Sequence, residues 1–270
     1  MKTEKAESLS IIINSTAFYM LSYLTVYMLF QITTSTVSTA FDIPNTLFYN
    51  RIEFNVRPEV WTFDSVKVVF SSGYVLLFLI SISFLVVIIK ALELNGMLRL
   101  FFLWGFIHSI SILFGSFIMG AFNFEGFGIV LSYLYLVDTA KMLLLFAGFL
   151  LLIAIGMALV KPLLFSANIY YNYLSPEMRP KFRRDQYVLP FVISTIILVL
   201  LKYPTSLYET LMLLIPFFIF MPLFWGIGRF PVFYFEETEK SIKLNYRLVI
   251  LTLGIIIVYR VILGLGINIG

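Results

Sequence analysis

The chain contains no cysteine and one histidine, His108, among 270 residues. Without a thiol there is no disulfide, thiolate metal site, cysteine nucleophile or iron–sulfur cluster. A lone imidazole cannot complete the paired histidines of an H-E-x-x-H metalloprotease, nor a bis-histidine haem site. Neither a metal nor a cofactor is therefore expected, although a single axial haem bond from His108 stays open. Charge is scarce too. Asp, Glu, Lys and Arg make up 13% of the residues, against roughly a quarter in a soluble domain. About half the usual solvated surface is missing.

What is present is apolar: 60% of the residues are hydrophobic and the mean hydropathy is +0.96. The expected fold class is an all-α integral membrane protein, a single polytopic domain over residues 1–270. A bilayer core of ~30 Å needs ~20 apolar residues at 1.5 Å rise. Runs of about that length predict about seven transmembrane helices, over residues 11–36, 68–89, 100–122, 140–160, 188–201, 207–227 and 248–266. The fifth is short and begins with Pro190, which a first helical turn tolerates. The first is read as a retained helix because no small-residue cleavage pattern follows it.

Residues 126–160 are too long for one ordinary crossing, at ~52 Å as a straight helix. Asp138 and Thr139 suit an N-cap, so a break there leaves 140–160 as the fourth span, closed by Lys161 and Pro162. Residues 126–137 then form one additional interfacial or re-entrant helix, with Phe127, Tyr133 and Tyr135 at the membrane boundary.

The net charge of +4 comes from a few basic loops rather than a basic stripe, so nucleic acid is not an expected partner. Those loops report orientation instead. With the N-terminus in the cytoplasm, 13 of the 19 basic residues fall inside: Lys2, Lys5, Lys90, Arg99, Lys161, Arg179, Lys181, Arg183, Arg184, Arg229, Lys240, Lys243 and Arg247. The expected setting is a cytoplasmic membrane, with the C-terminus on the outer side. Two segments outside the spans are long. An outer aromatic-rich loop, 37–67, is too apolar for a solvated tether and should fold onto the rim or meet a partner. An inner basic loop, 165–186, carries Arg179, Lys181, Arg183 and Arg184, first a positive-inside anchor and second a contact for anionic lipid or a partner.

Ionisable groups at depth mark chemistry in lipid, since each costs at least ~2.5 kcal/mol there unless paired or wet. Four qualify: His108, Asp138, Lys141 and Arg260. On the third span His108 shares a small polar face with Ser109, Gly115, Ser116 and Gly120. That face is a helix-packing seam by default; the sharper alternative is a cavity wall with His108 as proton carrier or ligand. His108 should lie ~13 Å from the inner surface and Arg260 ~18 Å. Asp138 and Lys141, i and i+3, can pair near the outer boundary. Arg260 could pair with Asp138, Glu125 or Glu209, which implies an outward pocket bounded by spans three, four and seven.

No catalytic constellation is complete. Ser72 and His108 differ in depth by ~10 Å, paired intramembrane aspartates are absent, and there is no glycine-rich phosphate loop. The span lengths and polar residues of the two halves do not correspond, which argues against an inverted-repeat transporter. The leading expectation is a multi-pass, non-enzymatic subunit that anchors or organises a larger membrane complex, with lipids and other membrane subunits as partners. A small transporter or lipid-handling protein with an outward-facing polar cavity comes second, and an intramembrane enzyme third.

Overall fold

Among the described residues, seven helices are long and apolar enough to cross a membrane, as befits an integral membrane protein. The computed structural model describes residues 2–90, 96–235, 240 and 242–270. Helix α1 (Lys2–Thr39) contains neither glycine nor proline, so nothing interrupts its 38 residues. It begins nine residues before the expected span because its first turns are held by polar partners: Lys181 Nζ meets Glu4 Oε1 at 2.7 Å and Ser8 Oγ donates to Asp185 at 2.5 Å. Helices α2 (Phe63–Lys90) and α3 (Gly96–Gly120) follow, then a seven-residue helix α4 (Phe127–Tyr133) within the segment 126–137.

The fourth long helix, α5 (Asp138–Phe165), departs from expectation at both ends. Val137 is the N-cap residue and no side chain caps the helix. Asp138 is instead the first helical residue, where its carboxylate favours the helix dipole and approaches Lys141 Nζ at 3.7 Å. Pro162 does not end the helix but lies inside it. Its ring removes one backbone donor, yet the next turn is still closed by bonds from the Ser166 N–H to the carbonyls of Pro162, Leu163 and Leu164.

The basic segment is mostly ordered turns rather than open loop. A 3-10 turn at Ser166–Ile169 leads to strand β3 (Tyr173–Leu174) and a second 3-10 turn at Pro176–Met178. Helix α6 (Arg179–Arg183) then passes through a π-helical turn, Arg184–Val188, into α7 (Leu189–Lys202), with Pro190 in the first turn. The sixth crossing is two pieces, α8 (Leu207–Met212) and α9 (Pro216–Gly226). Pro216, which disfavours a helical residue before it and cannot donate, separates them. Helix α10 (Tyr246–Gly264) is capped by Asn245, whose Oδ1 accepts from the Leu248 N–H at 3.1 Å.

Helices α1 and α3 are the most enclosed, and Trp104 on α3 sits fully buried against Tyr19, Tyr187 and Phe220. By contrast α2, α5 and α10 present rows of exposed Leu, Ile, Val and Phe, as a lipid-facing surface requires. Close approach depends on small residues. A Cβ on Gly120 would lie 2.8 Å from the Gly128 nitrogen, so this glycine pair lets α4 tuck against the end of α3.

Two small sheets tie the segments between helices. Strands β1 (Asn45–Leu47) and β2 (Ile52–Phe54) are antiparallel, and β1 also pairs with β5 (Ile267–Ile269), placing Asn45 opposite Phe54 and Ile269. Strand β4 (Phe233–Tyr234) pairs with β3. Because α1 runs into β1 and α10 runs into β5, the chain termini lie at opposite ends of the bundle. The aromatic segment 37–67 folds onto this sheet end, where Phe54, Trp61 and Phe70 form a ring cluster.

Candidate functional site

A cavity of ≈ 500 Å³ opens at the sheet end, between α1, α2, α3, α4, the last residue of α7, α8 and the turn joining β1 to β2. Its wall on α1 is a ladder with one side chain every four residues: Tyr23, Tyr27 and Gln31. Phe30, Phe54, Phe70 and Tyr74 supply further aromatic surface.

The polar floor centres on Lys202 and Glu209. The four residues 203–206 connect α7 to α8, so these opposite charges face each other across a short turn. Lys202 Nζ lies 3.0 Å from Glu209 Oε2 and 3.8 Å from the centre of the Tyr27 ring. The lysine side chain is 4% exposed and the glutamate 22%, so the pair is held largely out of water. Thr205 Oγ1 also donates to Glu209, at 3.2 Å. Ser206 caps α8 by accepting from the Glu209 N–H at 3.2 Å, and its hydroxyl donates to Glu125 Oε2 at 2.9 Å.

Two buried amides complete the floor, and their orientations follow from their partners. Asn50 Nδ2 donates to two carbonyls, Pro204 O at 2.6 Å and Lys202 O at 3.4 Å. The Tyr27 hydroxyl has a single proton, directed to Asn50 O at 3.0 Å or Glu209 Oε1 at 3.3 Å, so it accepts from Gln31 Nε2 at 3.1 Å. Both N–H groups of Asn50 Nδ2 are used, Gln31 Nε2 uses one of its two, and the amide oxygens are left without donors. Gln31 Oε1 and Asn50 Oδ1 are buried without a hydrogen-bond partner.

The residues singled out from sequence are distributed differently. His108 is buried among Tyr19, Tyr23 and Trp104, with ring centroids 4.4, 5.3 and 6.1 Å away, and its Nε2 has no hydrogen-bond partner. It touches the wall residue Tyr23 but does not itself line the cavity. Ser109 and Ser116 donate within their own helix, to Gly105 O at 2.9 Å and Leu113 O at 2.6 Å. Asp138 is 95% exposed at the side chain and reaches only toward Lys141. Arg260 donates to Tyr203 O at 3.2 Å and lies 3.7 Å over the Tyr49 ring. A carbonyl and an aromatic face, not a carboxylate, hold that cation. Among the described residues no hydrogen bond, ion pair or ring contact joins His108, Asp138 and Arg260. The cavity lies beside spans one, two, three, five and six, and no residue of α5 or α10 lines it.

In the basic segment, Arg179 is fully buried and donates Nη2 to Phe230 O at 2.9 Å and Pro231 O at 2.6 Å. Lys181 and Arg184 pair with Glu4 and Asp185, and the Arg183 guanidinium lies 4.3 Å over Phe224. Arg179 thus clamps the segment before β4 and offers no surface to a lipid headgroup. Among the described residues no group of three or more His, Asp or Glu side chains is placed to hold a metal.

No family model, curated protein or solved structure matches the chain. The central residues of the cavity escaped sequence reasoning because Lys202 closes an apolar run and reads as a loop cation, while Gln31 and Asn50 carry no charge. The signal for the pair was Lys202 and Glu209 flanking a short turn containing Pro204. The signal for the wall was the four-residue spacing of Tyr19, Tyr23, Tyr27 and Gln31.

Proposed function

We propose that the protein is a small transporter or lipid-handling protein that takes an amphiphilic molecule into this cavity from the outer side of a cytoplasmic membrane. One observation carries the reading: a ≈ 500 Å³ cavity with aromatic walls and a floor of buried polar groups, a combination of size and lining typical of ligand sites. The positive-inside count supports the orientation, with the N-terminus in the cytoplasm and the sheet end, the cavity mouth and the C-terminus outside. In that orientation α4 lies at the outer boundary as the additional interfacial helix.

The subunit expectation rested on the lack of a complete catalytic constellation and on two adhesive segments, one aromatic and one basic. Both segments have partners within the chain, the first through the Phe54–Trp61–Phe70 cluster and β1–β5 pairing, the second through Arg179 and β3–β4 pairing. The cavity has no such internal occupant, which is why ligand handling is preferred over complex assembly.

Native mass spectrometry of the protein released from lipid nanodiscs tests this reading. A bound amphiphile retained by the wild type should be lost when Ile112→Trp or Met212→Phe fills the cavity. Equal retention by folded variants and wild type would refute it.

A further inference from the structure

We propose that the cavity selects amphiphiles with a primary ammonium headgroup over anionic ones. The inference rests on the ligand-handling reading and adds the chemistry of the ligand. The two cations that line the cavity are already matched: Lys202 by Glu209 at 3.0 Å, and Arg51 by Glu53 at 2.5 Å with its guanidinium over Phe48. Glu125, exposed at the wall, accepts a hydrogen bond from Ser206 and has no cation partner among the described residues. The lining therefore carries one unmatched negative charge and no unmatched positive one.

The neutral groups point the same way. Gln31 Oε1 and Asn50 Oδ1 are acceptors only, both buried and both without a donor. A carboxylate or phosphate placed beside them would leave both oxygens unsatisfied and add repulsion from Glu125. An –NH3+ group brings three N–H donors and a positive charge, and the rings of Phe30 and Tyr74 favour a cation as well, whereas the Tyr27 face is already taken by Lys202. A quaternary ammonium would keep the charge but offer nothing to the two amide oxygens. The preference is thus for N–H, not for positive charge alone, and the apolar tail follows the Phe54 and Phe70 side of the cavity.

Equilibrium binding of octylamine, octyltrimethylammonium, octanol and octanoate to the full chain in lipid nanodiscs, with empty nanodiscs subtracted, separates the possibilities. Octylamine should bind at least about tenfold more tightly than octanoate and more tightly than octyltrimethylammonium, the margin expected when charged hydrogen bonds are lost. Glu125→Gln, at an exposed position, should weaken octylamine roughly 2–5-fold and leave octanol unchanged. Gln31→Leu should narrow the gap between octylamine and octyltrimethylammonium. Octanoate binding as tightly as octylamine, or octylamine affinity indifferent to Glu125→Gln, would overturn the ammonium preference while leaving ligand handling in place. Absence of cavity-dependent binding by all four probes would overturn both.

Discussion

Lys202 and Glu209 hold each other in the floor of the cavity, and separating them should cost unequal amounts depending on which partner is removed. At their 3.0 Å separation the gross Coulomb attraction is about 5–6 kcal/mol for an effective dielectric constant of about 20. Most of that offsets the desolvation of the two charges, so the informative quantity is what remains when one is deleted. Glu209→Gln leaves an ammonium on a side chain that is 4% exposed, with the Tyr27 ring at 3.8 Å as its remaining stabilisation. A stranded buried charge of this kind costs about 3–5 kcal/mol. Lys202→Met leaves a carboxylate that is 22% exposed and still accepts from Tyr27 and Thr205. With those bonds retained the cost should be about 1–2 kcal/mol. The double variant should cost no more than Lys202→Met alone. Unfolding free energies of the four proteins in one detergent–lipid mixture form a double-mutant cycle. Equal costs for the two single variants, or additivity within about 0.5 kcal/mol, would refute the view that the pair is a coupled, water-excluded unit.

Three further perturbations probe other parts of the structure. His108→Phe keeps the aromatic cage filled and removes an unpartnered nitrogen, but it also removes the imidazole's hydrogen bond with the Tyr19 backbone and should cost about 1–2 kcal/mol, whereas His108→Ala should cost about 3–5 kcal/mol by opening a cavity as well; thermal unfolding of both variants reports the difference. Gly128→Val should displace α4 from α3, since even a Cβ there would lie 3.0 Å from Gly120 O and 3.1 Å from Gly120 Cα; faster proteolysis within residues 121–137 is the readout, and an unchanged digestion pattern would contradict the close packing. Arg179→Met strips the hydrogen bonds from Phe230 O and Pro231 O and should raise amide exchange through β4, while Arg183→Ala, which removes only a cation–ring contact, should leave that exchange near wild type.

Helix number was legible because it follows from length and hydropathy, properties that survive any tertiary arrangement. Helix ends were less legible. Pro162 reads as a stop, but α5 passes through it, whereas Pro216 does divide α8 from α9. Whether a proline breaks a membrane helix depends on what neighbouring groups supply, and that information is tertiary. The site was harder still. Depth along a span does not specify azimuth: His108 turns into the cage of Tyr19, Tyr23 and Trp104, and Arg260 turns toward Tyr49 and Tyr203 rather than toward α5. The strongest polar site was assembled from a ladder on α1, one asparagine from a hairpin turn and two charges flanking a connection, which no single window of sequence contains.

The absence of cysteine makes the central claim open to a direct measurement, because Ile112→Cys introduces one thiol on the α3 wall of the cavity. In right-side-out membrane vesicles a membrane-impermeant maleimide should label this thiol from the outer side, and octylamine should slow the labelling. Labelling solely from the cytoplasmic side, or outer-side labelling at a rate unchanged by every amphiphile offered, would contradict an outward-facing ligand cavity.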